Sequence, residues 1–184
     1  TLNVVAGAIT DANGAANNVT GSQLVANSTT GVGTSSDPLE TTINGGFEAT
    51  GGSGGVFVAN TGALTIGGVS AVVGISATGN ISFSTTGLLT VAENVATAGN
   101  VTLGGAGISF TGGPAASGAA GSVTLNGGTG AISTTTAAID VVAQDLVATA
   151  ATGIDLDTTI TNATLTNTGA GNVVIDETNA LNLA

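Results

Sequence analysis

Short triplets of the type apolar–polar–apolar recur along this chain of 184 residues. Because successive side chains of a β-strand point to opposite sides, each triplet predicts a short strand whose outer residues face the interior and whose middle residue faces water. Pairs such as Gly79-Asn80 and Gly104-Gly105 separate the triplets and are typical of tight corners. The triplets are Val56-Phe57-Val58, Leu64-Thr65-Ile66, Ile81-Ser82-Phe83, Leu89-Thr90-Val91, Val101-Thr102-Leu103, Ile108-Ser109-Phe110, Val123-Thr124-Leu125, Ile139-Asp140-Val141, Ile154-Asp155-Leu156, Val173-Val174-Ile175 and Leu181-Asn182-Leu183.

The spacing of the triplets predicts the architecture. Neighbouring triplets begin about seven to eight residues apart, closer than the ~8–12 residues that separate strands of a sandwich. Three such strands make a coil of about 22 residues, within the range of solenoid repeats. A strand of three residues cannot bury a face alone, whereas stacked coils can. We therefore predict an all-β fold: a single parallel β-solenoid (β-helix) segment over residues 1–184, with about eight coils and a rod roughly 40 Å long.

A longer repeat is superimposed on the triplets. The segment 39–43 (LETTI) returns as 156–160 (LDTTI), and this offset of 117 residues holds without a gap from 39–66 to 156–183. Ten of the 28 aligned positions are identical. We interpret the two blocks as a duplication that spans several coils.

Three segments depart from the triplet pattern. Residues 137–151 carry Ile139, Val142 and Leu146 at helical spacing, so a short helix is an alternative to a strand there. Residues 11–18 and 111–122 lack large aliphatic side chains and are predicted to be loops.

The four aromatic residues are expected to fill the widest points of the interior; they are Phe47, Phe57, Phe83 and Phe110.

Both ends of the sequence carry a strand pattern, Leu2-Asn3-Val4 at the start and Leu181-Asn182-Leu183 at the finish. A solenoid cut in this way exposes unpaired strand edges, which pair readily with other chains. We therefore expect this segment to continue in a longer repetitive chain, or to associate end to end into a filament.

The composition narrows the possible partners. The chain has no Lys, Arg, His or Cys, and its 11 Asp and Glu residues give a formal net charge of −11. Because this charge repels phosphate backbones, nucleic acid is not an expected partner. Apolar runs fall well short of the ~20 residues of a membrane-spanning helix, so membrane insertion is not expected either.

Several stretches resemble a known kind of surface protein. Four segments resemble the repeat regions of very large bacterial surface proteins of the filamentous haemagglutinin type; they are GNVTLGG, TGALTIGG, DPLETTI and ATGIDLDTTI. The resemblance covers essentially the whole chain at the level of pattern. It implies a right-handed parallel β-helix, secretion to the cell surface, and a structural role as an adhesin shaft or extracellular fibre without catalysis.

Carboxylates are the only ionisable side chains, so they are the candidates for chemistry. Asp155 and Asp157 lie on one strand at roughly 7 Å, a separation that suits an inverting glycoside hydrolase. However, the chain has no Trp, Tyr or Arg to hold a sugar. We interpret the pair as solvated side chains and do not expect an enzyme.

A calcium site is the stronger candidate. Stacked coils of the C-terminal part could bring several carboxylates together, and such oxygen clusters suit Ca²⁺, while like charges repel without a cation. We predict Ca²⁺ ligands among six residues and expect no other cofactor. These residues are Asp140, Asp145, Asp155, Asp157, Asp176 and Glu177.

Two other functions remain open at the level of sequence. A pilin-like subunit could polymerise by lending a strand to its neighbour. Alternatively, outward threonines could form a flat face that orders water, as in ice-binding solenoids; the residues concerned are Thr65, Thr90, Thr102 and Thr124.

Overall fold

The computed structural model describes residues 1–72, 74–112 and 116–183, with the backbone alone for 116–120 and Leu183. Within these ranges the chain forms 21 strands and no helix, which confirms the all-β class. The strands in chain order are β1 (Leu2–Val4), β2 (Val19–Gly21), β3 (Leu24–Ser28), β4 (Gly31–Val32), β5 (Leu39–Ile43), β6 (Gly46–Thr50), β7 (Gly55–Asn60), β8 (Leu64–Ile66), β9 (Ile75–Ala77), β10 (Ile81–Thr85), β11 (Leu89–Val91), β12 (Val95–Thr97), β13 (Val101–Gly104), β14 (Ile108–Phe110), β15 (Ala116–Asn126), β16 (Ile132–Thr134), β17 (Val141–Ala150), β18 (Ile154–Thr159), β19 (Asn162–Asn167), β20 (Val173–Glu177) and β21 (Asn182–Leu183).

The strands stack as successive turns of a solenoid. The described strand pairs are parallel, and the partners lie about one coil apart in sequence. Inward positions follow one another along a first face, which gives eight turns of about 22 residues and confirms the predicted solenoid. This first face runs through Ile9, Val32, Val56, Ile81, Val101, Val123, Leu146, Ala163 and Leu183.

Two further faces close each coil. Because each face is only a few residues wide, the chain bends between faces. The glycine-rich segment 104–107 separates the first face from the second, whereas β17 passes from the third face to the first without a glycine. The second face runs through Leu64, Leu89, Ile108, Ile132, Ile154 and Val173. The third face runs through Leu2, Ala26, Ala49, Ile75, Val95, Ala116, Val141, Thr158 and Glu177.

The core lies along the axis, where the aliphatic columns of the three faces meet. Eight of the predicted triplets have both outer residues buried, namely those that begin at 56, 64, 81, 89, 101, 108, 123 and 154. Phe47 and Phe83 pack against each other with ring centroids 5.0 Å apart. Phe110 is also buried. The prediction for Phe57 is wrong: it lies between inward-facing Val56 and Val58, so alternation turns its ring outward and leaves it half-buried.

Three other local predictions were wrong. Residues 141–150 form strand β17, so the helical alternative for 137–151 does not hold. Residues 116–122 belong to strand β15 and not to a loop, while 113–115 of that predicted loop lie outside the described residues. Asp140 was expected to face water, but it is fully buried and Ile139 is not. Asp140 lies in the irregular segment between the bends at 135–138 and β17, outside the alternation of a strand, whereas Val141 is buried as the triplet predicts. The loop predicted at 11–18 is confirmed.

The third face is the one that the triplet pattern missed. Strands β9 and β12 carry one large inward aliphatic each, Ile75 and Val95, followed by the smaller Ala77 and Thr97. Thr97 is buried because its hydroxyl donates to the carbonyl oxygen of Gly79 in the preceding coil. An inward polar residue with a backbone partner is indistinguishable, in the sequence, from an exposed one.

The 117-residue repeat preserves a pair of stacked strands. In the first block Leu39 pairs with Val58, and in the second block the aligned Leu156 pairs with Ile175. The blocks nevertheless occupy different faces, because β7 lies on the first face, whereas β20 spans the second and third. The repeat therefore copies a local strand-pair geometry, and its offset is not a whole number of turns.

Candidate functional site

Polar side chains occupy several buried positions, and Asn60 is the best connected of them. It is 3% exposed, at the corner where β7 ends. Its Oδ1 accepts from the Thr41 hydroxyl and from the amide of Ile43, both at 2.8 Å. Its Nδ2 donates to the carbonyl oxygens of Ile43 and Thr61, at 3.1 and 3.2 Å. Asn60 thus provides hydrogen-bond partners for backbone groups at a corner where the ladder between strands is interrupted.

The repeat reproduces this corner with different chemistry. Glu177 aligns with Asn60 and accepts from the Thr158 hydroxyl at 2.7 Å and from the amide of Ile160 at 3.2 Å. A carboxylate cannot donate to the Ile160 carbonyl oxygen; the amide of Asn179, oriented with Nδ2 inward, does so at 2.7 Å. Two residues therefore replace the single amide of Asn60, and Glu177 has a structural role at this corner.

Replacing Asn60 by Ala should destabilise the protein by about 2 kcal/mol, because it leaves buried donors and acceptors of Thr41 and Ile43 without partners. Urea denaturation followed by circular dichroism measures the loss. The matched control is Asn94→Ala, since Asn94 is exposed and its side chain makes no hydrogen bond to the described residues. Equal stability of the two variants would contradict the role assigned to Asn60.

A second buried carboxylate, Glu48, fastens a loop to the outside of the solenoid. Glu48 is fully buried although it stands at an outward position between Phe47 and Ala49. Its carboxylate accepts from the amides of Val69 and Ser70, at 2.6 and 3.0 Å, and from the Ser70 hydroxyl. Burial alone would raise the pKa of Glu48, but the hydrogen bonds from Ser70 and Val69 outweigh it and lower the pKa.

Glu93, in the next coil, holds the two ends of the same loop. Its Oε1 accepts from the amide of Gly68 at 3.0 Å, and its Oε2 accepts from the amide of Gly74 at 2.7 Å. The loop is therefore fixed by one carboxylate from the coil below and one from the coil above. Because the chain has no Lys or Arg, hydrogen bonds from backbone amides stabilise the negative charge of these carboxylates in place of a cationic side chain.

The six acids predicted as Ca²⁺ ligands lie in the last coils but do not converge. Asp155 and Asp176 are exposed, and Asp157 lies directly opposite Asp176 in the β18–β20 pair. Asp145 accepts from the amide Nδ2 of Asn162 at 2.7 Å. Glu177 is engaged at its corner as described above. Among the described residues, no three of the six offer oxygen atoms within 4.8 Å of one another. A calcium site in these coils stays a prediction without support from their geometry.

Asp140, the sixth of these acids, is sealed between β16 and β18. Its Oδ1 accepts from the Thr134 hydroxyl at 3.1 Å, and its Oδ2 accepts from the amide of Asp157 at 3.0 Å. Burial raises the pKa of Asp140 to about 6, and the nearby carboxylates of Asp157 and Asp155 add to the shift, against the lowering effect of these hydrogen bonds. Asp140 is thus a buried acid that titrates well above the ordinary range of aspartate.

A different acidic cluster forms near the start of the chain. Asp11, Asp37 and Glu40 each place one carboxylate oxygen within 4.8 Å of the others. Glu40 Oε2 is buried and has no hydrogen-bond partner among the described residues. Burial, and then the carboxyl group of Asp11, raise the pKa of Glu40. Sequence reasoning missed this cluster because its members come from two loops and a strand, and no spacing rule connects them.

The outward threonines do not form one face. Thr65 lies beside Thr90 on the second face, while Thr102 lies beside Thr124 on the first. The row that contains Thr102 continues with Ser82 on one side and Val147 on the other. The flat threonine surface expected of an ice-binding solenoid is therefore split into two short pairs.

A search of the described residues finds no helix with the length and apolar character needed to cross a membrane. Comparison of the chain with protein-family models, curated proteins and solved structures gave no match.

Proposed function

We propose that this chain is a length of rigid shaft in an extracellular fibre or a cell-surface adhesin, and that it acts as a structural element. The observation that carries the proposal is the stack of eight coils with aligned core columns on three faces. In such a stack each coil contacts only its neighbours, so coils can be added without changing the cross-section. This is the property that a shaft requires.

We further propose that such rods associate end to end or continue in a longer repetitive chain. In a solenoid each coil packs only on its neighbours, so an added coil, from the same chain or from another copy, would extend the core columns without altering them.

The net charge of the chain affects how such rods associate. The net charge of −11 keeps such rods apart from one another along their sides and favours contact at the ends. The pilin-like alternative has less support. Strand donation completes a sheet from which one strand is missing, whereas the first-face strands described above pair with one another from coil to coil without a gap.

Electron microscopy of fibres from the source cells, together with antibody labelling, tests this proposal. We expect an antibody against the chain to label intact cells along filaments with a continuous axial repeat of ~4.8 Å. Beaded filaments made of globular subunits would favour the pilin-like alternative. Labelling that requires permeabilised cells would contradict the extracellular location.

A further inference from the structure

The loop between β4 and β5 contains the single Asp–Pro bond of the sequence, Asp37–Pro38; the other proline, Pro114, follows a glycine. An Asp–Pro bond is unusually open to attack by its own side chain. The aspartate carboxylate can close on the adjacent main-chain carbonyl carbon, and an intramolecular nucleophile has a large advantage over one from solution. The tertiary proline nitrogen is also a better leaving group than an ordinary amide nitrogen.

The fold activates the carbonyl group of this bond. The Asp37 carbonyl oxygen accepts two hydrogen bonds from Thr34, one from the amide at 2.9 Å and one from the hydroxyl at 3.3 Å. Donors placed on a carbonyl oxygen stabilise the negative charge that develops there during nucleophilic attack. Gly33, with φ of 61°, permits this turn, because a Cβ atom there would lie 2.3 Å from the Phe57 carbonyl oxygen.

The leaving Pro38 nitrogen needs a proton, and two neighbouring acids are candidates to donate it. Asp11 and Glu40 lie with Asp37 in the cluster described above. A hydrogen bond from the backbone of Asn13 lowers the pKa of Asp11, whereas burial raises the pKa of Glu40. Of these two acids, Glu40 is therefore the one that carries a proton more readily. Strands β2 and β7, which pair with β5, contribute no titratable side chain.

We propose that the chain cleaves its own Asp37–Pro38 bond. A carboxylate oxygen of Asp37 attacks the Asp37 carbonyl carbon, and a cyclic anhydride forms as the carbon–nitrogen bond breaks. The Pro38 nitrogen takes the proton of Glu40 and leaves as a secondary amine. Water then opens the anhydride to two carboxylic acids, and the two protons that these release reprotonate Glu40 and protonate the Pro38 amine.

Cleavage at this bond does not disrupt the solenoid. Both β4, before the cut, and β5, after it, pair with β7 in the next coil. The products 1–37 and 38–184 therefore stay associated under native conditions and separate only when the protein is denatured. The reaction converts a continuous chain into a nicked solenoid with a new N-terminus at Pro38.

Mass spectrometry of the purified chain, incubated at mildly acidic pH, tests the proposal. We expect the fragments 1–37 and 38–184, formed at least ~10-fold faster in the folded protein than in the same protein unfolded in urea, because general acid catalysis and an activated carbonyl act only in the fold. Asp37→Ala should abolish the cut. Glu40→Gln should lower the rate to near that of the unfolded chain, whereas Asp176→Asn, which removes an exposed acid elsewhere, should leave it unchanged.

Other results would overturn the proposal. Cleavage no faster in the folded chain than in urea would mean that only the intrinsic lability of Asp–Pro bonds operates. An unchanged rate in Glu40→Gln, with folding verified by circular dichroism, would exclude Glu40 as the proton donor. If Glu40→Gln does not fold, Thr34→Ala at an exposed position replaces it, and an unchanged rate in that variant would exclude assistance by the fold at the carbonyl oxygen.

Discussion

Ile81→Asp should abolish cooperative folding at neutral pH or reduce the free energy of unfolding by at least about 4 kcal/mol. Ile81 is 1% exposed and lies between Val56 and Val101 on the first face. A carboxylate at this position has no water, and the chain has no Lys, Arg or His to pair with it. Because small domains are stable by only ~5–15 kcal/mol, a loss of this size decides whether the fold survives.

The matched control places the same residue one coil away on the outside. Thr102 is exposed on β13, so Thr102→Asp should cost less than about 1 kcal/mol through reduced strand propensity. Urea denaturation of both variants measures the difference. The loss in Ile81→Asp should also shrink as the pH is lowered, since the buried acid can then be neutral. Similar stability of the two variants at neutral pH would show that the inward and outward assignments are wrong.

The architecture could be predicted from the sequence because two faces repeat a pattern of two aliphatics around one polar residue. Leu89-Thr90-Val91 and Val101-Thr102-Leu103 show it, and their burial alternates as expected. The third face could not be recognised, since its inward positions include Ala49 and Thr97, which are small or satisfied by backbone partners. That a third face exists could be inferred only from the number of residues in a coil, which leaves room for a third short strand.

The positions of the carboxylates were harder to predict than the strands. Glu48 stands at an outward position, and it is buried only because the loop at 67–72 folds back over it. Asp140 is buried because it lies in the irregular segment before β17, where side chains do not alternate. The cluster of Asp11, Asp37 and Glu40 depends on two loops that meet in space. In each case a loop conformation decides the outcome, and periodicity carries no information about loops.

Asp140→Asn should stabilise the protein at neutral pH by up to about 3 kcal/mol and weaken the dependence of its stability on pH. The pKa of Asp140 is about 6 in the folded protein, against a value of 3.8 without perturbation. The folded state therefore binds this proton more tightly than the unfolded state. The stabilisation from protonation is fully present below pH 3.8 and is lost as the pH rises through about 6. An amide stays neutral throughout, so it keeps this stabilisation at all pH values.

The surroundings of Asp140 accept the amide without rearrangement. Its Oδ atom can accept from the Asp157 amide as the carboxylate does, and its Nδ2 can donate to the Thr134 hydroxyl oxygen, since that hydroxyl is free to donate to the carbonyl oxygen of Thr136 at 3.0 Å. Urea denaturation from mildly acidic to neutral pH, compared between variant and parent, measures the effect. Asp176→Asn, at an exposed position on β20, is the control and should follow the parent. A parent and an Asp140→Asn variant with parallel pH profiles would show that Asp140 is already ionised well below pH 6, and hence that its burial does not control its titration.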